Sequence, residues 1–235
     1  MSRYISIETN IEVFEKYKAL WAVRGIHGIM ADSMTECIEI AMKIEKSNKS
    51  DLYFIAIVAD DIDFMPQLRI LSEQTDAPIF IATSKPDAVE RKEAQNKGAD
   101  YYGEYCETPE LNIETVVSKI ISIGRWTRKR PAKKPPLLLH NGVLLSPRRR
   151  VVFIKDKEVK LGNMEFQILR LLMSNCGNYL EAPQILRKVW GADYLDTDSE
   201  NLYKAMNRLR NKLSEISPNK EYIKAERDIG YKFIE

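Results

Sequence analysis

Along the first half of the chain, short apolar runs alternate with stretches whose apolar residues recur at helical spacing. Residues 3–7 form a strand pattern and residues 11–23 a helical one. Residues 26–31 are strand-like, and 34–44 are helical, with Cys37, Ile38, Ala41 and Ile44 on one face. Residues 52–58 are a continuous apolar run, as expected of a strand covered on both sides. Residues 78–83 are another. A polar helix at 87–97, a brief strand at 100–103 and a last helix at 110–123 follow, the last with Val116, Val117, Ile120 and Ile123 inward. The stretch between 58 and 78 is assigned no element. Five β–α repeats predict a doubly wound (βα)5 sheet, with its chemistry at the carboxyl ends of the strands.

The grammar then changes. Residues 124–136, GRWTRKRPAKKPP, hold six basic residues and three prolines, and read as a solvated linker. Short strand candidates occupy 137–145, 149–154 and 158–161. Asn163 is placed to cap a helix running to Cys176, with Phe166, Leu169, Leu172 and Met173 inward. Pro183 suits the first turn of a second helix ending near Trp190. A third starts from a Thr197–Glu200 capping box and carries the stripe Leu202, Ala205, Met206, Leu209 and Leu213. The tail, YIKAERDIGYKFIE, alternates about Asp228–Gly230 and reads as a hairpin. The expected domains are 1–123, the linker, and 137–235.

Charge sharpens this division. Residues 1–123 hold 13 Lys and Arg against 21 Asp and Glu, a net −8, whereas 124–235 hold 23 against 13, a net +10. A basic half is the one expected to meet a polyanion. No apolar stretch is long enough to span a bilayer, and MSRYISIETN lacks the apolar core of a signal peptide. Cys37, Cys106 and Cys176 are odd in number and far apart, which points to a reducing cytoplasm.

Opposite its apolar stripe, the third helix of the second half presents Tyr203, Lys204, Asn207, Arg208, Arg210 and Asn211. The face is almost free of acids. A helix fits the major groove, where Arg and Lys bond guanine O6/N7 and Asn pairs with adenine N6/N7. Two helices precede it and a hairpin bearing Arg227 and Tyr231 follows, a winged helix-turn-helix pattern that points to double-stranded promoter DNA as partner.

Four stretches carry a family resemblance: LGNMEF (161–166), VWG (189–191), NRLRNKL (207–213) and RDIGYKF (227–233). In order and spacing they resemble the C-terminal domain of OmpR/PhoB-type response regulators. The resemblance implies that the third helix enters the major groove, that Arg227 reaches the minor groove, and that residues 191–198 meet RNA polymerase. It also implies a homodimer through residues 87–123. Two positions depart from the family: Asp228 replaces the usual glycine of the wing tip, and Gly162 a usual capping threonine.

The first half resembles the family's receiver domain, with GADYY (98–102) and Thr83 fixing the register. The resemblance requires an acidic pair for Mg²⁺, an Asp acceptor, a Thr or Ser and a Lys. The chain has Glu8 and Thr9 for the pair, Ala56 for the acceptor, Thr83, and Tyr105 for the Lys. Asp60, Asp61 and Asp63 read as a solvated loop, although a slipped alignment makes Asp60 the acceptor. Three losses together predict a receiver that does not use aspartyl phosphorylation.

Other chemistry finds little support. His27 and His140 have no companion ligands at metal spacing, and there is no P-loop or dinucleotide fingerprint. Cys106, near the degenerate pocket, is a candidate redox sensor, although a lone buried or half-buried thiol is the commoner explanation for such a residue. The expectation is a cytoplasmic, non-enzymatic transcription regulator without cofactor, metal or membrane contact. The alternatives are a phosphorylation-switched regulator using Asp60, or a flavodoxin-like enzyme fused to a DNA-binding domain.

Overall fold

The computed structural model describes residues 2–8, 11–47, 52–60, 62–104, 137–191 and 199–235. The chain divides into two compact units, Met1–Pro135 and Pro136–Glu235. The helix predicted at 110–123 and the linker at 124–136 lie outside the described residues.

The first unit holds a parallel sheet in the order β2-β1-β3-β4-β5. The strands are β1 (Ser2–Ile7), β2 (Ile26–Ala31), β3 (Leu52–Val58), β4 (Ile79–Thr83) and β5 (Tyr101–Glu104). Its helices are α1 (Ile11–Ala22), α2 (Met34–Ser47), α3 (Met65–Gln74) and α4 (Ala88–Lys97). Alternation along the strands gives each face its own chemistry. One is aromatic: Tyr4, Phe54 and Phe80 pack with Phe14 and Trp21 of α1, and Tyr4 stacks on Phe54 at 4.8 Å. The other is aliphatic: Ile5, Ile55 and Ile79 align across β1, β3 and β4, all fully buried. Helix α2 packs against β1 and against α3.

Helix α3 is an addition to the predicted elements. Pro66 stands in its first turn, and Leu68, Ile70 and Leu71 are buried. Two of its inward positions are Gln67 and Gln74, and buried glutamines break the apolar spacing that would have announced it. Gln67 is fully buried because its Oε1 accepts from the Thr35 hydroxyl at 3.0 Å. Helix α4 is the polar element expected. Asp87 caps it, accepting from the Val89 and Glu90 amides, and Ala94 alone of its residues is buried. The Tyr102 hydroxyl, donating to Glu90 at 2.6 Å, ties α4 to β5.

The second unit opens with an antiparallel sheet of β6 (Leu138–His140), β7 (Val143–Ser146), β8 (Val151–Ile154) and β9 (Lys157–Glu158). The single strand expected over 137–145 is a hairpin. Asn141 and Gly142, with φ of 53° and 77°, form its turn, the backbone signature of an Asn-Gly type I′ connection. Helices α5 (Asn163–Ser174), α6 (Ala182–Trp190) and α7 (Ser199–Ile216) follow, then the hairpin of β10 (Ile223–Glu226) and β11 (Gly230–Phe233). One apolar core joins Phe166 and Leu169 of α5, Ile185 and Leu186 of α6, the α7 stripe, and Phe233 of the hairpin.

The cap of α5 also differs from expectation. Gly162, not Asn163, holds the N-cap position. Glu165, one turn along, reaches back to accept the Gly162 amide at 2.7 Å, which supplies the bond that a side-chain cap would make.

Candidate nucleic-acid interface

The five stripe residues of α7 are all at most 1% exposed, which fixes the helix's rotation. The opposite face is therefore set by the 3.6-residue period. Tyr203, Lys204, Arg208 and Asn211 are exposed on it, and Asn207 is half-buried. Arg210 leaves this face. Its guanidinium donates to the Ile223 carbonyl of β10, Nη2 at 2.9 Å and Nε at 3.1 Å, so it braces the hairpin against α7. An acid also joins the face: Glu200 in the first turn pairs with Lys204 at 2.7 Å. Thr197, the expected partner of Glu200 in a capping box, lies outside the described residues, as do residues 192–198 altogether.

The hairpin is docked through its second strand. Tyr231 and Leu180 exchange both backbone bonds, at 2.8 and 3.0 Å, and Tyr231 packs against the core. Tyr231 is thus half-buried at the hairpin's base, whereas Arg227 at its tip is almost fully exposed. Asp228 adopts the left-handed region at φ 61°, which explains why a glycine would suit the position and why aspartate, more tolerant of it than most residues, serves. Gly230 cannot be replaced so easily. Its φ is 130°, and a Cβ there would collide with the Leu180 carbonyl.

Behind α7, Glu165 links two helices. It is 6% exposed and accepts from Lys212 Nζ at 2.7 Å, with Arg208 Nε at 3.4 Å. Burial raises its pKa, but the Lys212 and Gly162 hydrogen bonds and the two positive charges outweigh burial and hold the carboxyl below its ordinary value. Sequence spacing did not single out Glu165, because its role appears only when α5 and α7 meet.

At the carboxyl edge of the first unit's sheet, Glu8 is buried and Thr83 ends β4. Ala56 lies inside β3, paired with Ser6 and Phe80, two residues short of the strand's end. It is therefore a sheet position and not an edge position. The carboxylate that does reach Thr83 belongs to Asp60. Its Oδ1 accepts the Thr83 hydroxyl at 2.7 Å and the Ser84 amide at 2.8 Å. These bonds, the Ser84 amide first, keep the Asp60 carboxyl below its ordinary range despite some desolvation. The solvated-loop reading of Asp60 is thus corrected: it is exposed, yet engaged. Thr9, Asp61, Tyr105 and Cys106 lie outside the described residues.

Comparison with known proteins agrees with this architecture. Residues 156–233 match the family "Transcriptional regulatory protein, C terminal". Over 204 residues the chain is 22% identical to the regulatory protein VanR of Enterococcus faecium, covering 86% of this chain and 84% of that one. It is 28% identical over 186 residues to the response regulator ArlR of Staphylococcus aureus, covering 79% and 80%. A solved DNA-binding domain, RstA of Klebsiella pneumoniae in complex with the RstA box, matches 42% of this chain and 96% of its own at 26% identity, with a TM-score of 0.38. Over most of its length the chain is thus similar to response regulators. Its second unit carries their transcriptional regulatory C-terminal domain, and its first is a receiver-like parallel sheet.

Proposed function

We propose that this chain is a cytoplasmic, sequence-specific transcription regulator that binds promoter DNA through α7 and the hairpin, and that its receiver-like unit works without aspartyl phosphorylation. The observation that carries the DNA reading is the exposed face of Tyr203, Lys204, Asn207, Arg208 and Asn211, opposed to a fully buried stripe. Asn and Arg supply the bidentate donors and acceptors that read base edges, and exposed Arg227 extends the contact to the neighbouring minor groove. The match of residues 156–233 to a transcriptional regulatory C-terminal domain supports the same partner.

Phosphorylation independence is supported by the residues present: Ala56, Thr9 and Tyr105 stand where the acceptor, half of the acidic pair and the Lys are expected. A homodimer through residues 87–123 would place two such units on a repeated site, and residues 191–198 would meet RNA polymerase. Genome-wide mapping of bound sites tests the reading. Discrete sites sharing a repeated motif are expected, and uniform occupancy without a motif would contradict it.

A further inference from the structure

The positive surface of the second unit does not stop at α7. Arg208 belongs to the proposed groove-facing surface and also contacts Glu165 on α5. Lys212, one turn along α7, bonds the same carboxylate and also donates to the Lys160 carbonyl at 3.0 Å. On the far side of Glu165, Arg150 donates from Nη2 to Asn163 Oδ1 at 2.5 Å and lies over the Phe166 ring at 5.7 Å. Lys160 and Arg150 are exposed. Arg208 and Lys212 thus share Glu165, Lys212 also reaches the Lys160 backbone, and Arg150 sits against the same first turn of α5 through Asn163 and Phe166, which together form a basic ridge. The carboxylate at its centre is buried, its Oε2 accepting from the Gly162 amide and Lys212 and its Oε1 lying 3.4 Å from Arg208 Nε.

Four cations against one carboxylate make this surface net positive, and Arg150, exposed and bonded through one nitrogen to Asn163, keeps further N–H donors. Of these residues only Arg208 lies on the groove-facing side of α7, so Arg150, Lys160 and Lys212 are not placed to read bases. Charge of this kind fits the repeating phosphates of a duplex backbone, which fix position without carrying sequence.

We propose that Arg150, Lys160 and Lys212 extend the DNA interface beyond α7 by binding backbone phosphates that flank the groove entered by that helix. The inference rests on the DNA-binding reading above and adds a second contact region supplied by the β7–β8 turn, the segment before α5 and the later turns of α7. It enlarges the footprint and the non-specific component of binding, and leaves base preference to α7.

The test uses the full chain, a mixed-sequence duplex, and fluorescence anisotropy over a range of salt concentrations. Arg150→Gly is a suitable variant because Arg150 has φ 58°, a conformation glycine adopts freely. Lys160→Ala is a second, with no side-chain bond to lose among the described contacts. Each phosphate contact removed should make the slope of log K against log salt shallower by about 1, and weaken specific and mixed duplexes by the same factor. Lys43→Ala, which removes the same charge from the other unit, should leave the slope unchanged. Wild-type slopes in both ridge variants, or an equal change with Lys43→Ala, would overturn the ridge while leaving the role of α7 intact. If the unaltered chain shows no salt-dependent DNA binding, the DNA reading itself fails and the ridge fails with it.

Discussion

Asp60 accepts the hydroxyl of Thr83 across 2.7 Å, joining the loop after β3 to the end of β4. The same oxygen takes the Ser84 amide, so two donors at the sheet's carboxyl edge are satisfied by an internal carboxylate. The two residues lie 23 positions apart, and the adjacency of β3 and β4 brings them together.

That relationship bears on phosphoryl chemistry. Intact-mass measurement after acetyl phosphate and Mg²⁺ treatment should show no added phosphoryl group, and DNA affinity should be the same with and without the donor. An adduct that Asp60→Ala abolishes would instead make Asp60 the acceptor and the chain a phosphorylation-switched regulator.

Glu165 sets a pH dependence. Its carboxyl is lowered in the folded state below 4.5, its ordinary value, so the charged form is the one that folding favours. The stability it contributes is complete above that ordinary value and is lost as pH falls through the lowered one. Denaturant unfolding at neutral pH should show Glu165→Ala destabilised by about 1.5–3 kcal/mol, the range for hydrogen bonds to a charged group. The gap between wild type and variant should narrow in acid. A gap that is constant from neutral pH to about pH 3 would show that the carboxylate's charge is not what joins α5 to α7.

Gly230→Ala tests how the hairpin is docked. The added methyl meets the Leu180 carbonyl at a backbone angle unsuited to alanine, so a loss of about 1–3 kcal/mol or more is expected. Urea unfolding and hydrogen exchange at Leu180 and Tyr231 would both report it. Unchanged protection of these two amides would mean that the hairpin is held elsewhere.

How much of this was legible beforehand follows from what each residue interacts with. The strand Leu52–Val58 was read to the residue because continuous apolar runs need no partner to be recognised. The α7 stripe was equally plain, since five apolar residues at helical spacing have one packing solution. Helix α3 was hidden by Gln67 and Gln74, whose burial depends on partners such as Thr35 far along the chain. Arg210 looked like its basic neighbours until the Ile223 carbonyl claimed it. Asp60 looked like a free loop acid until the adjacency of β3 and β4 brought Thr83 to it. Counting residues fixed a position in sequence, but the pairing of Ala56 with Ser6 set it inside the sheet.

Sequence reading is assigned to the exposed face of α7. The most direct measurement compares wild type, Asn207→Ala and Arg208→Ala on a mapped binding site, its single-base variants and a mixed-sequence duplex. Loss of a base contact should cost about 1–3 kcal/mol on the native site and relax preference at one position, with little change on the mixed duplex. Wild-type affinity and base preference in both variants would contradict the assignment of α7 as the reading helix.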